Sequence, residues 1–327
     1  MAGASRPVSR PSLGAPLVLG AALAWSTSGT FIRWTMDDGS FTALSLAFWR
    51  DLTTFLSLLA FLAVVRPEWL RVERRDLPWL AALGIVGVGT FHVLWNLSIT
   101  TIGYAPATVL LYASPAFVAF VARLVWREPM TRAKVAAFVL TIVGCVLVTG
   151  IDRLTTAALT ASGLAVGLAA AVAYGSFSLF GRQVAPRYSP WTVLTYGFGF
   201  GALALLPFQF GSPLPWPLAP ATGLWFGMLV LVATILPFGI YLLALRTLPV
   251  SVASLLAASE VIFGAAIGYL LFEEQLAGLQ IVGACLVIAG LALIATGGRV
   301  AMPPGVLRRQ VPVKVVDQDS PDENSLP

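Results

Sequence analysis

The chain has 327 residues, of which 58% are apolar and only 11% are charged, with a mean hydropathy of +0.86 and a formal net charge of +5. A surface built from this composition could not stay hydrated, so a soluble globular protein is excluded and an integral membrane protein is predicted. The two cysteines, Cys145 and Cys285, lie inside apolar runs, where small packing residues are expected rather than a disulfide.

Ten apolar runs are long enough, at about 1.5 Å per residue, to cross a hydrocarbon core of about 30 Å. They lie at residues 16–36, 41–65, 79–99, 105–125, 133–151, 161–182, 191–210, 222–245, 250–272 and 278–296. The first run follows Arg6 and Arg10 and could be a signal peptide, but it lacks a small-residue cleavage site and leads straight into further spans. The sequence therefore predicts an all-α integral membrane protein with ten transmembrane helices.

Lysine and arginine are distributed very unevenly between the two sides of these spans. Apart from Arg50, which is inside a span, only Arg33 and Arg153 of the 20 basic residues fall on the side opposite the N-terminus. This asymmetry predicts a multi-pass protein of the cell membrane with both termini in the cytoplasm. The sequence pI of about 9.6 then reflects orientation in the membrane, and we expect no nucleic acid partner.

The second half of the chain repeats features of the first. Glu128 and Glu274 are 146 residues apart, as are Gly144 and Gly290 in the spans that follow them. Five spans per half is an odd number, so the second half must enter the membrane from the opposite side, which predicts inverted repeats. The expected organisation is a cytoplasmic tail, two five-helix repeats and a disordered cytoplasmic tail, at residues 1–15, 16–150, 159–297 and 298–327.

These features resemble the EamA repeats of the drug/metabolite transporter superfamily. The resemblance rests on Trp25-Ser26 in the first span, on Arg50 inside the second, and on the repeated glutamate followed by a glycine-bearing apolar helix. It covers residues 16–297 and implies a ten-helix bundle around a central cavity that exports or exchanges amino acids, related metabolites or drugs. The chain departs from the family at Glu260, where members often have proline, and a carboxylate at mid-depth changes what such a site could bind.

Few ionisable residues lie within the spans, where a charge is tolerated only beside water, a partner or a ligand. Arg50, near the middle of span 2, offers a permanent forked cation for a carboxylate. The alternative is a structural ion pair, either with its neighbour Asp51, which is locally awkward because the two side chains point about 100° apart, or with Glu260. Glu260, in span 9, could carry a proton or bind an amine, or could serve only to neutralise Arg50.

His92 and Asn96 are one helical turn apart in span 3. His92 could titrate near neutral pH and couple transport to protons, or it could simply bond to a neighbouring group. The equivalent positions in the second half are Phe238 and Leu242, so polarity differs between the two repeats. Further candidates to line a substrate cavity are Trp25, Ser26, Tyr112 and Tyr174.

Two charged regions at the ends of spans are given structural interpretations. Glu128 and Glu274 lie where water is near, so we expect them to cap helices or contact loops. The charge-mixed segment 66–76 is predicted to be a solvated, lipid-facing loop.

The sequence thus predicts a secondary transporter that exports small metabolites of amino-acid type by alternating access. It is expected to act as a monomer in the bilayer, without cofactor or metal, with the proton as a candidate coupling ion. Alternatives are export or exchange of cationic drugs or nucleoside-like compounds, an intramembrane enzyme, and a non-transporting scaffold. The spans hold one histidine and one aspartate, so of the intramembrane enzymes only a serine–histidine type remains, and no motif supports it.

Overall fold

A computed structural model of the chain describes residues 13–149, 160–273 and 275–297, and in those residues the regular structure is helical. Of the predictions above, those for the N-terminal tail concern residues that are described only from residue 13 onward. The C-terminal tail and Glu274 lie wholly outside the described residues. The α-helices are α1 (Gly14–Ser26), α2 (Ser28–Met36), α3 (Ala43–Val65), α4 (Leu77–Gly84), α5 (Phe91–Ile102), α6 (Tyr104–Leu111), α7 (Ser114–Val125), α8 (Arg132–Thr149), α9 (Ala161–Val184), α10 (Pro190–Leu205), α11 (Pro220–Val230), α12 (Leu236–Ala244), α13 (Val250–Ala257), α14 (Glu260–Phe272) and α15 (Gly278–Gly297).

The all-helical membrane fold predicted from composition is confirmed. In the part of the chain that the structure describes, nine helical segments are long and apolar enough to cross a membrane. The tenth predicted span is α15, whose apolar stretch runs over Gly278–Ile294. The largest boundary error falls on the third span, which extends over Leu77–Ile102. Cys145 and Cys285 are free thiols, as expected.

Several spans are interrupted part-way, and the interruptions recur at the repeat spacing. π-helical turns at Ile85–Thr90 and Leu231–Ile235 join the two parts of spans 3 and 8, and they begin 146 residues apart. Spans 4 and 9 each break into two half-helices, and the second half-helices, α7 and α14, also begin 146 residues apart. The backbone therefore repeats features that the apolar composition does not reveal, and π-helical turns often accompany functional sites.

The helices that end the two halves, α8 and α15, pack tightly against each other. A Cβ atom on Gly144 would lie 2.6 Å from the Gly283 carbonyl oxygen, and one on Gly290 would lie 2.9 Å from the Ala137 carbonyl oxygen. Residue numbers rise on one helix as they fall on the other, so the pair is antiparallel. Gly290 is the repeat equivalent of Gly144, and Gly283 is that of Ala137. The two contacts are therefore equivalent to each other, as a two-fold relation requires. The inverted arrangement of the whole chain stays a prediction.

The loop at residues 66–76 differs from the prediction at its C-terminal end. Asp76 is only 1% exposed, and its carboxylate accepts a hydrogen bond from the Tyr188 hydroxyl at 2.7 Å and lies 2.8 Å from Arg187 Nη1. The Glu73 amide in turn donates to the Tyr188 oxygen at 3.1 Å. The prediction of a merely solvated, lipid-facing loop was therefore wrong here, because the loop is tied to the connection between α9 and α10.

Removing the Tyr188 hydroxyl should loosen this connection. Desolvation raises the pKa of Tyr188 above its ordinary value, so the phenol remains a donor to Asp76 at neutral pH. Tyr188→Phe leaves a buried carboxylate oxygen without its donor, so we expect the free energy of unfolding to fall by about 1–3 kcal/mol. Thermal unfolding in detergent measures this, with Tyr269→Phe on the exposed face of α14 as the control. Equal melting temperatures for the two variants would contradict the assignment.

Candidate functional site

Three ionisable side chains from two spans meet in the interior of the bundle. Arg50 and Asp51 lie about two turns into α3, whose start is capped by the Thr42 hydroxyl, which accepts from the Ser45 amide at 3.2 Å. Arg50 Nη2 bonds to Nε2 of His92, which lies at the start of α5 just after a π-helical turn. His92 Nδ1 is 3.4 Å from Asp51 Oδ2, and Arg50 Nε is 3.6 Å from Asp51 Oδ1.

The geometry assigns the charges of this cluster. A guanidinium has only donors, so His92 Nε2 must be the acceptor, which leaves the imidazole neutral with its proton on Nδ1, facing Asp51. Asp51 is 0% exposed, and its contacts with Arg50 and His92 lack hydrogen-bond geometry, so the carboxylate is held mainly by the neighbouring positive charge. The Arg50–Asp51 ion pair considered from the sequence is thus present, although the two residues are adjacent.

Arg50 and His92 face a small cavity of about 30 Å³, which has room for about two water molecules. The cavity is otherwise walled mostly by aromatic rings, namely Phe91, Tyr174, Phe177, Phe198 and Phe238. Three of the residues singled out from the sequence, Arg50, His92 and Tyr174, are therefore brought together. All three side chains contribute to the wall of one space inside the bundle, although the surface of that space is almost entirely apolar.

Glu260 is placed differently from Arg50. It is the first residue of α14, directly after the break in span 9, and is partly buried. Its carboxylate is within electrostatic range of the Tyr112 and Tyr174 hydroxyls. Within the described ranges no ion pair joins Arg50 to Glu260, and Glu260 is not among the residues that line the cavity. Tyr174 lines the cavity and is also within electrostatic range of Glu260, so it connects the two regions.

The remaining candidates from the sequence support the site indirectly. Trp25 packs edge-on against Phe238, with ring centroids 4.9 Å apart, and so lies behind the cavity wall. The Ser26 hydroxyl donates to the Leu23 carbonyl at 2.6 Å, and the Asn96 amide donates to the His92 carbonyl at 2.8 Å. Both polar groups are thus bonded to their own helices and do not point to a ligand.

Glu128 is a helix cap, as expected, but the helix belongs to the other half of the chain. It is 8% exposed, accepts from the Val250 amide at 2.9 Å and from the Ser251 hydroxyl, and lies 3.4 Å from Lys134 Nζ. A carboxylate at the first turn of α13 satisfies amide groups that have no partner within that helix. The contact joins the end of span 4 to the start of span 9.

Sequence reasoning missed the aromatic wall and gave Asp51 too little weight. Phe177 and Phe198 carry no polar signal, and phenylalanine is common throughout the spans, so nothing in the sequence separates them from lipid-facing rings. For Phe238 a signal existed, because it is the repeat equivalent of His92. Equivalent positions related by a two-fold axis are expected to face the same central space.

Comparisons with known proteins agree with this architecture. The sequence matches the EamA-like transporter family over residues 12–150 and 161–296, so both halves match separately. It is 28% identical to an uncharacterized transporter of Archaeoglobus fulgidus, covering 85% of this chain and 94% of that protein. It is also 28% identical to a probable terminal-alkyne amino-acid exporter of Streptantibioticus cattleyicolor, covering 83% and 90% of the two chains. A solved crystal structure of 18% identity superposes with a TM-score of 0.75 over 89% of this chain and 99% of that one, which shows a shared fold.

Proposed function

The chain belongs to the EamA-like transporter family, and from this premise we propose that it exports small metabolites of amino-acid type by alternating access around the cavity at Arg50. The observation that carries the proposal is the Arg50–His92 pair, which places a guanidinium beside a small cavity among membrane-length helices. A permanent planar cation in such a place is suited to a carboxylate. A relative named as an amino-acid exporter supports both the substrate class and the direction.

The surroundings of Arg50 favour binding that is reversible. In the present arrangement the guanidinium bonds to His92 and is partly neutralised by Asp51. An arriving carboxylate would take the place of His92 Nε2 as acceptor, while Asp51 would continue to offset part of the positive charge. Affinity is thereby limited, as a transporter requires, because a substrate held too tightly is not released on the other side.

The cavity must also change size during transport. At about 30 Å³ it cannot hold an amino acid, so substrate enters only in a conformation in which the helices have moved apart. The breaks in spans 4 and 9 and the π-helical turns in spans 3 and 8 are natural places for such movement. We further propose that the protein works as a monomer in the cell membrane with both termini in the cytoplasm.

Flux through proteoliposomes tests the proposal. Purified protein in vesicles of phosphatidylethanolamine and phosphatidylglycerol should exchange labelled amino acids for unlabelled ones trapped inside, and empty vesicles should not. Nucleosides and cationic drugs are the comparison compounds, and they should not be exchanged. Exchange of cationic drugs alone would favour the alternative in which Glu260 and its neighbouring tyrosines bind a cation. Failure to move any compound would favour the scaffold.

Glu260 is proposed to couple transport to protons. A carboxylate directly after the break in span 9 can take up a proton on one side of the membrane and release it on the other as the helices rearrange, which gives proton antiport. Glu260→Gln preserves the shape of the side chain but cannot ionise, so stimulation by an inward proton gradient should disappear while exchange without a gradient is retained. The measurement is export from loaded vesicles with and without the gradient. Unchanged stimulation in the variant would show that the coupling group lies elsewhere.

A further inference from the structure

The aromatic part of the cavity wall is built around one ring, Phe238. Phe238 meets Phe177 with centroids 4.9 Å apart and Phe198 with centroids 5.4 Å apart, both edge to face, and Trp25 supports it from behind. Edge-to-face pairs are favourable beyond the area they bury, so the cluster is a fixed apolar surface. Phe198 is 1% exposed, which places this surface deep in the bundle.

Arg50 and His92 also line this cavity, although their polar atoms contribute almost nothing to its surface. Arg50 contributes the guanidinium, and His92 is neutral because its Nε2 accepts from that group. Asp51 is fully buried and does not line the cavity. A ligand therefore meets apolar rings close to a single buried cation, and no acid is among the lining residues that the structure describes.

Two of the lining residues, His92 and Phe238, occupy equivalent positions in the repeats. His92 and Phe238 are 146 residues apart, which is the spacing of the two π-helical turns that precede them, and both line the cavity. One copy of this position is thus polar and the other is aromatic. A hydroxyl or a second charge on the ligand at the Phe238 side would leave water without finding a partner, which is unfavourable.

On the basis of the transport role proposed above, we infer that the substrates are amphiphilic carboxylates. The carboxylate lies at Arg50, in the place of His92 Nε2, and an apolar or aromatic side chain lies against Phe177, Phe198 and Phe238. Small hydroxylated amino acids such as threonine are poor substrates because they offer little apolar surface to this wall. Phe238 is the residue that sets the preference.

Four probes separate the two ends of the ligand. Phenylalanine has both ends, 3-phenylpropionate lacks the amine, phenethylamine lacks the carboxylate, and threonine lacks the apolar side chain. In the proteoliposomes described above, phenylalanine and 3-phenylpropionate should compete for exchange at concentrations at least tenfold lower than threonine. Phenethylamine should compete no better than threonine. Competition by threonine or phenethylamine that equals or exceeds competition by phenylalanine would overturn the inference. Exchange of none of the four compounds would instead overturn the transport proposal itself.

Variants at Phe238 test the specificity role. Phe238→Ala should weaken competition by phenylalanine at least tenfold while changing that of threonine less than twofold, and Phe238→Leu, which keeps an apolar side chain, should give an intermediate loss. Phe120→Ala on the exposed face of α7 is the control and should change neither. Phe238→Ala could disturb packing, so the melting temperature of each variant is measured as well. If Phe238→Ala does not fold, the competition measured with Phe238→Leu decides whether Phe238 sets the preference. Equal loss for all four probes in Phe238→Leu would overturn the assignment of Phe238.

Discussion

Replacing Arg50 by lysine should reduce transport at least tenfold while the protein still folds. Lysine keeps the positive charge that Asp51 requires, but it is a point charge without the planar fork that binds a carboxylate through two hydrogen bonds. Hydrogen bonds to charged groups contribute about 1.5–3 kcal/mol, so losing one corresponds to a weakening of substrate binding by roughly 10- to 150-fold.

Arg50→Ala would be a less informative variant, because a loss of transport could then reflect misfolding. It would leave the Asp51 carboxylate buried and unpaired, which costs about 3–5 kcal/mol and threatens folding. The double variant with Asp51→Ala removes both charges, so it should recover stability but not transport. Exchange in proteoliposomes and melting in detergent are measured together, with Arg33→Lys in the last turn of α2 as the control. Near-normal exchange by Arg50→Lys would reduce Arg50 to a structural partner of Asp51.

A valine at Gly144 should prevent α8 and α15 from packing. The new Cβ atom would lie 2.6 Å from the Gly283 carbonyl oxygen and 2.8 Å from the Val287 amide nitrogen, and backbone atoms of a helix cannot move aside separately. Overpacking of this kind costs about 1–3 kcal/mol or more, and small residues are what allow such close approach in membranes. We expect low yields of folded protein and a melting temperature well below that of the wild type.

The matched control is Gly227→Val. Gly227 is also helical, in α11, but a Cβ atom there would have no neighbour within 4 Å. Both variants place a β-branched residue in a membrane helix, so they differ mainly in the contact. Similar melting temperatures for Gly144→Val and Gly227→Val would show that the close contact between α8 and α15 contributes little to stability.

The spans could be predicted from the sequence because bilayer thickness sets the length of an apolar run. The interruptions inside them could not, because Ala258 and Ser259 at the break in span 9 look like any small residues in a membrane helix. Arg50 and His92 stood out because charged or titratable groups are rare at mid-depth. The proximity of His92 to Asp51, like that of Tyr188 to Asp76, joins distant parts of the sequence and follows only from how the helices pack.

The π-helical turns give the two spans a place that can absorb a change in chain length. Each turn adds a residue to what would otherwise be a continuous α-helix, and His92 and Phe238 follow just beyond. Deleting one residue from Ile85–Thr90 would therefore leave a continuous α-helix and keep the imidazole close to Arg50. The same deletion within α4, which has no extra residue, would rotate one part of span 3 against the other by about 100°. Chains that differ in length by one residue in these turns can therefore keep the same side chains at the cavity.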